Sequence, residues 1–296
     1  MLDLQHHLAK TSRTFALAIK LLDKELRREV TIAYLLLRIA DTLEDADLWP
    51  PERRIIALAQ LDLILGVDDE VEAKKESARW LDSPPCENED YLALLAVLPE
   101  VMEEGRKLAP TAWETIVRHV RRTIQGMMSC LSRDGYPSEL RLRSTNEVRG
   151  YCYIVAGIVG ELLTELFVWQ GHVSPSYANK LWQAARFFGE GLQLVNILKD
   201  EADDASVGRS FLPPNVDRSE LFALARADLA IADGYVKALR QAGASFGLLG
   251  FTMLPLRLAR HTLDRVEQKG AGAKLSREEV RVHLEEVSSL TLRPEA

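Results

Sequence analysis

Apolar residues recur at three- and four-residue intervals along almost the whole 296-residue chain. No stretch alternates apolar and polar residues as a half-buried strand would. The periodicity predicts helices over Thr14–Val30, Thr31–Ala46, Arg53–Leu65, Leu92–Leu108, Trp113–Leu131, Glu147–Trp169, Tyr177–Asp204, Arg218–Gln241, Phe251–Lys269 and Ser276–Val287. Short joints rich in breakers separate them: WPPERR, whose prolines suit a first helical turn, the polar DSPPCENED over Asp82–Asp90, SRDGYPSE, ASVGRSFLPPN and GAGAK. With no linker, internal repeat or low-complexity tract, about ten helices and short loops predict a single all-α domain over residues 1–296.

With 47% hydrophobic residues the chain can bury a sizeable core. A net charge of −7 and a pI near 5.5 argue against a nucleic-acid partner. An anionic ligand would then need cations between itself and the protein. Cys86, Cys130 and Cys152 make neither a disulfide framework nor a CxxC metal knuckle, which points to a reducing cytoplasm. MLDLQHHLAKTSRTF lacks the features of a signal peptide, and no apolar run approaches the roughly 20 residues of a membrane span. A soluble cytoplasmic protein is expected, with peripheral membrane contact left open.

Two acidic clusters stand out. DTLEDAD follows directly on the apolar TIAYLLLRIA, and on a helix Asp41, Glu44 and Asp45 fall at i, i+3 and i+4, on one face. Carboxylates crowded at the end of a buried helix repel one another and resist burial. One such triplet is ordinary solvated surface. GEGLQLVNILKDEADD repeats it, with Asp200, Asp203 and Asp204 at the same spacing at the end of another apolar helix. Paired carboxylate clusters suit hard, oxygen-ligated cations, and Mg2+ in particular bridges carboxylates to substrate phosphates. A di-iron bundle would need Glu-x-x-His on two helices. None of the six histidines has Glu three residues before it.

Arg38, Lys199 and Arg209 accompany the clusters, either as ion-pair partners or as diphosphate contacts. In YCYIVAGIVGELL, Cys152, Ala156 and Gly160 align at four-residue spacing. That ladder fits close helix–helix packing or the floor of a groove for a long apolar ligand. In the second case Tyr151 and Gln193 are polar groups near its mouth, and Asn196 shares a helix face with Asp200.

Taken in order, SRTFA (Ser12–Ala16), YLLLRIADTLED, YCYIVAGIVG, QLVNILKDEADD and GRSFLP (Gly208–Pro213) resemble the head-to-head prenyl synthases, the squalene/phytoene synthase family. The resemblance covers most of the chain. It implies the type I isoprenoid synthase fold, all helical around a central cavity, and chemistry on two prenyl diphosphates, usually farnesyl diphosphate. By motif, it makes Asp41, Glu44, Asp45, Asp200 and Asp204 the Mg2+ carboxylates. Ser12, Arg13, Arg38, Lys199 and Arg209 become diphosphate contacts, and Tyr34 and Tyr151 site-lining tyrosines. Gln193 and Asn196 become an amide pair, and Val155, Ala156, Gly157, Val159 and Gly160 the wall for the prenyl tail.

The family's chemistry needs these residue types. An allylic diphosphate leaves when metal and cations absorb the charge on its oxygens, and the carbocation must then be kept from water. A cyclopropyl diphosphate forms first. Squalene synthase closes the sequence with hydride from NADPH, whereas dehydrosqualene and phytoene synthases lose a proton. The first motifs resemble squalene synthase most closely. Lys199, where the family commonly has Arg, and GRSFLP leave dehydrosqualene or phytoene synthase as the alternative. A non-catalytic helical scaffold is a third reading, against which both intact carboxylate clusters count. Oligomeric state is not legible in the sequence.

Overall fold

The structure, a computed structural model, describes residues 3–12, 14–133, 136–169, 171–206 and 210–291. It divides into two compact units, Met1–Ala16 with Lys24–Glu139, and Leu17–Asp23 with Leu140–Ala296. Both are helical, as the periodicity requires.

The first unit contains α1 (Leu4–Thr11), the start of α2 (Thr14–Ile19), α3 (Lys24–Glu44), α4 (Pro51–Val67), α5 (Glu70–Asp82), α6 (Glu89–Ala96), α7 (Leu98–Arg106) and α8 (Pro110–Cys130). Its hub is α3, whose Ile32, Leu35, Leu36, Ile39 and Leu43 are wholly buried and which packs on α1, α4, α6, α7 and α8. Side-chain caps set several starts: Asp69 accepts from the Glu72 amide at α5, and Asn88 from those of Asp90 and Tyr91 at α6. Pro51 opens α4 at a position where a missing N–H costs nothing.

In the second unit, α9 (Thr145–Cys152) runs through a π-helical turn, Tyr153–Gly157, into α10 (Ile158–Trp169). It is followed by α11 (Ala178–Ser206), α12 (Arg218–Gln241), α13 (Phe246–Lys269) and α14 (Arg277–Thr291). Here α11 is the hub, packed on the π turn, α10, α12 and α13. Two glycines let backbones meet: a Cβ on Gly160 would lie 2.1 Å from the Ala185 carbonyl oxygen, and one on Gly189 would lie 1.9 Å from that of Ala156. The extra residue of the π turn closes with the Ile158 amide donating to the Tyr153 carbonyl.

Several expectations need correction. Thr14–Val30 is not one helix: the chain turns between Ile19 and Lys24, and α3 then runs unbroken past Thr31. The turn is used elsewhere in the second unit, where Gly247 would meet the Leu21 carbonyl oxygen at 2.3 Å if it bore a Cβ, and Ser245 donates to Asp23 at 3.0 Å. Leu92–Leu108 divides at Val97, because Pro99 stands in the first turn of α7. The acidic α5 was not foreseen, since it buries Glu76 and Ser77 beside Ala73 and Trp80 and so lacks an apolar period. SRDGYPSE holds a two-residue antiparallel pair, Ser132 opposite Pro137 and Arg133 opposite Tyr136, too short for alternation to register. The continuous helix Thr145–Trp169 is long and apolar enough to span a membrane by length and composition, which the sequence reading did not allow. Its glycine face is packed on α11 as a core helix is.

Glycine contacts give a paired prediction. Gly189→Ala puts a methyl group into a carbonyl and should cost about 3 kcal/mol in urea unfolding. Gly234→Ala, on α12 with nothing within 4 Å of the added carbon, should stabilise by about 0.5–1 kcal/mol.

Candidate active site

At the C-terminal end of α3, Asp41, Glu44 and Asp45 each turn a carboxylate oxygen to one place, all within 4.8 Å of one another. Helical continuity does this: the Asp45 amide still donates to the Asp41 carbonyl at 2.8 Å, just beyond the last residue of α3. Glu44 is buried, while Asp41 and Asp45 are half-buried. Among the described residues this is the group of three side chains placed to hold a metal ion, and an all-carboxylate donor set suits Mg2+.

Arg38, one turn earlier, binds Asp41 directly. Its guanidinium also donates to the Tyr34 hydroxyl at 3.3 and 3.4 Å and lies over the rings of Tyr34 and Tyr91, 5.7 and 5.4 Å from their centroids. Burial works against its charge, but Asp41 and the Tyr34 contact outweigh that and hold its pKa above the ordinary arginine value. Tyr34 is fixed in turn by donating to the Thr11 carbonyl at 2.8 Å. Tyr91 was missed by sequence reasoning: it stands on α6, 53 positions after Arg38, just past the polar DSPPCENED loop and outside both acidic clusters. Ser12 ends α1, and its Oγ accepts from the Ala16 amide in α2 at 3.2 Å. Arg13 and Arg209 lie outside the described residues.

The second cluster ends α11. Lys199 reaches Asp200 at 3.1 Å and donates to the Asn196 side chain at 3.2 Å. Asp203 meets Lys274 at 3.5 Å, Glu201 meets Arg218 at 3.3 Å, and Asp204 is half-buried. Gln193 and Asn196 lie on the same side of the helix as Asp200, at three- and four-residue spacing. The Gly272 amide, in the GAGAK joint, donates to the Lys199 carbonyl at 2.7 Å.

The small-residue ladder resolves mainly as packing. Gly157 and Gly160 are buried against α11, and the Ala156 carbonyl faces Gly189. Val155, Ala156 and Val159 keep half-exposed side chains, which leaves an apolar surface on that helix. Tyr151 is buried, its ring 5.0 Å from that of Phe211. Phe211 belongs to the segment after α11 that pairs backbone with residues 140–142: Leu142 donates to Ser210, and Ser210 to Leu140.

Beneath the π turn lies a charge cluster that the sequence did not announce. Glu190, wholly buried on α11, accepts from Arg149 at 3.2 Å and Arg186 at 2.7 Å. Asp228 on α12 lies 3.9 Å from Arg149, and its Oδ2 is buried without a hydrogen-bond partner among the described residues. Burial, with Glu190 adding to it against Arg149 and Arg186, pushes the Asp228 carboxyl from its ordinary 3.8 up to about 6. The folded state therefore holds this proton more tightly than the unfolded chain does. The stability so contributed is full below the unfolded pKa and lost as pH rises through the folded one. Urea unfolding from pH 4 to 8 should show that decline, and Asp228→Asn should flatten it. Tyr34→Phe, which deletes the bond to Thr11, should cost about 1 kcal/mol at any pH in that range.

Comparison with known proteins gives a consistent answer. The family model described as squalene/phytoene synthase matches residues 8–286. The chain is 29% identical to a squalene synthase of Eremothecium gossypii over 71% of its own length and 45% of the relative's. To the human squalene synthase it is 32% identical, over 71% of this chain and 46% of that one. It thus spans less than half the length of these curated relatives. Among solved structures, a ligand complex of TcSQS superposes with a TM-score of 0.78 at 24% identity, covering 98% of this chain and 87% of that one, which shows a shared helical fold. With a family match across nearly its whole length and the family's motifs in order, this chain belongs to the squalene/phytoene synthase family.

Proposed function

We propose that the chain joins two farnesyl diphosphates head to head, through presqualene diphosphate, to squalene, with Mg2+ and NADPH. The observation that carries this reading is the convergence of Asp41, Glu44 and Asp45 within a chain matched by the family over residues 8–286. These three, with Asp200 and Asp204, are the carboxylates that would hold Mg2+. When bound, Mg2+ supplies Lewis-acid stabilisation to the departing diphosphate.

The remaining work falls to the chain's own groups. Arg38 keeps its charge in a half-buried place between two tyrosine rings, where it stabilises developing negative charge more strongly than it would in water. Lys199 is held by Asn196 and Asp200 and can turn to a diphosphate oxygen. Tyr34, oriented by Thr11, offers an aromatic face and a hydroxyl already committed to the protein. Val155, Ala156 and Val159 offer apolar surface to the prenyl chain and carry no nucleophile that a carbocation could capture. NADPH rests on the family resemblance, and no residue is assigned to it.

Purified protein incubated with Mg2+ and farnesyl diphosphate, with and without NADPH, tests the reading by mass spectrometry of the extracted products. Squalene that requires NADPH, with presqualene diphosphate accumulating in its absence, is the expected result. The GRSFLP segment, which resembles the phytoene type, motivates a second reading, the proton-losing branch, and dehydrosqualene in both tubes would establish it. Asp41→Asn should lower turnover by about two orders of magnitude or more while the protein stays folded. Unchanged turnover would remove Asp41 from the site.

A further inference from the structure

The last two helices carry a pair of histidines that neither acidic cluster explains. His261 on α13 and His283 on α14 face each other with Nδ1 and Nε2 2.6 Å apart. Their ring centroids lie 4.3 Å apart with the planes inclined at 31°. At that separation one nitrogen holds a proton and the other offers a lone pair to it, so a single proton occupies a place where two imidazoles converge. On the far side of the His283 ring, Nδ1 lies 3.7 Å from the Glu286 carboxylate. Nδ1 is buried and makes no hydrogen bond among the described residues, and a small shift of Glu286 would give it the carboxylate that orients a metal-bound histidine.

We propose that His261 and His283 form a two-nitrogen site for a late first-row divalent ion, Zn2+ in the first instance, bridging α13 and α14. Two features carry it besides the facing nitrogens. The frame exists without the ion: Arg265 pairs with Glu279 and Arg257 with Glu286, and Val287 is wholly buried, within reach of Gly250. Helix positions are therefore set before any metal arrives. The rings also differ in freedom. The His283 side chain is only 12% exposed, whereas His261 is exposed and can swing.

Two Zn–N bonds of about 2.0–2.1 Å at a tetrahedral angle put the nitrogens about 3.3 Å apart. The rings must therefore open by about 0.7 Å, a small rotation of His261, whose exposure leaves the other two positions to water.

The donor chemistry separates this site from the carboxylate cluster on α3. Imidazole selects Zn2+, Cu2+ or Ni2+, whereas carboxylates take Mg2+. Nothing in the proposal depends on prenyl transfer, so it stands or falls independently of the function proposed above.

The experiment is a Zn2+ titration of the chelator-stripped full chain by calorimetry, with millimolar Mg2+ present throughout to occupy the carboxylates. One equivalent should bind, and should be lost in both His261→Ala and His283→Ala. It should survive in His6→Ala/His7→Ala, which removes the neighbouring histidines near the N-terminus. Zn2+ should also raise the melting temperature of the parent but not of His261→Ala, whose exposed position makes loss of folding a poor explanation. No Zn2+ binding in the micromolar range, or binding unchanged in both single variants, would reduce the pair to a hydrogen-bonded contact and overturn the proposal.

Discussion

Direct backbone contact between α10 and α11 is the constraint on which the second unit depends. Where Gly160 and Gly189 stand, the carbonyls of Ala185 and Ala156 occupy the space a side chain would need. Helices this close leave no room for bulky side chains between them. What polar groups remain must be fully matched, because an unsatisfied one costs as much as a good contact contributes. Glu190 meets that demand by taking a guanidinium on each oxygen, one from α9 and one from its own helix. It sits directly under the π turn, where a Cβ on Gly157 would come within 3.3 Å of its carboxylate. The turn, the buried carboxylate and the glycines are thus parts of one arrangement. It fixes the rotation of the helix that carries Tyr151 and Val155 relative to the one that carries Asn196 and Asp200.

The two acidic clusters solve the same electrostatic problem in different ways. On α3 the charge is partly buried, and Arg38 is locked by a hydroxyl, a carboxylate and two aromatic faces. Such a cation has already lost its rotamer freedom, so it can meet a second anion at little further entropic cost. On α11 the acids are more exposed, and Lys199, Lys274 and Arg218 each lean on a different carboxylate. Exposed pairs of this kind are worth about 0–1 kcal/mol. Partner exchange there is therefore cheap, and the proposed trade of protein cations for metal and phosphate would meet little resistance.

The candidate site positions were legible where they fall within one helical turn of each other. Asp41, Glu44 and Asp45 could be placed on one face from spacing alone, and their carboxylates do converge. What the sequence hid depends on distant partners or on polar burial. The turn at Lys20–Asp23 is shaped by Gly247 and Ser245, more than two hundred residues later. In α5 the buried stripe includes a glutamate and a serine, so hydropathy cannot reveal it. The small-residue ladder was legible as a pattern but open in meaning. Backbone contact answers it for Gly157 and Gly160, while Val155 and Val159 keep the exposure that the other meaning needs.

Tyr91 shows why a motif locates a site without completing it. A run such as YLLLRIADTLED specifies what one helix presents, and Arg38 belongs to it. A lone arginine beside three carboxylates would be drawn wholly to them and lose its use toward any other anion. Rings on two sides oppose that collapse: Tyr34 from within the motif and Tyr91 from α6, each attracting the guanidinium through its face while offering no full charge to neutralise it. Both rings are half-buried and limit the water that can screen the charge. The cation remains concentrated beside the three converging carboxylates, held by groups that a second anion need not displace. Its availability is set by the packing of α6 on α3 as much as by the acidic motif itself.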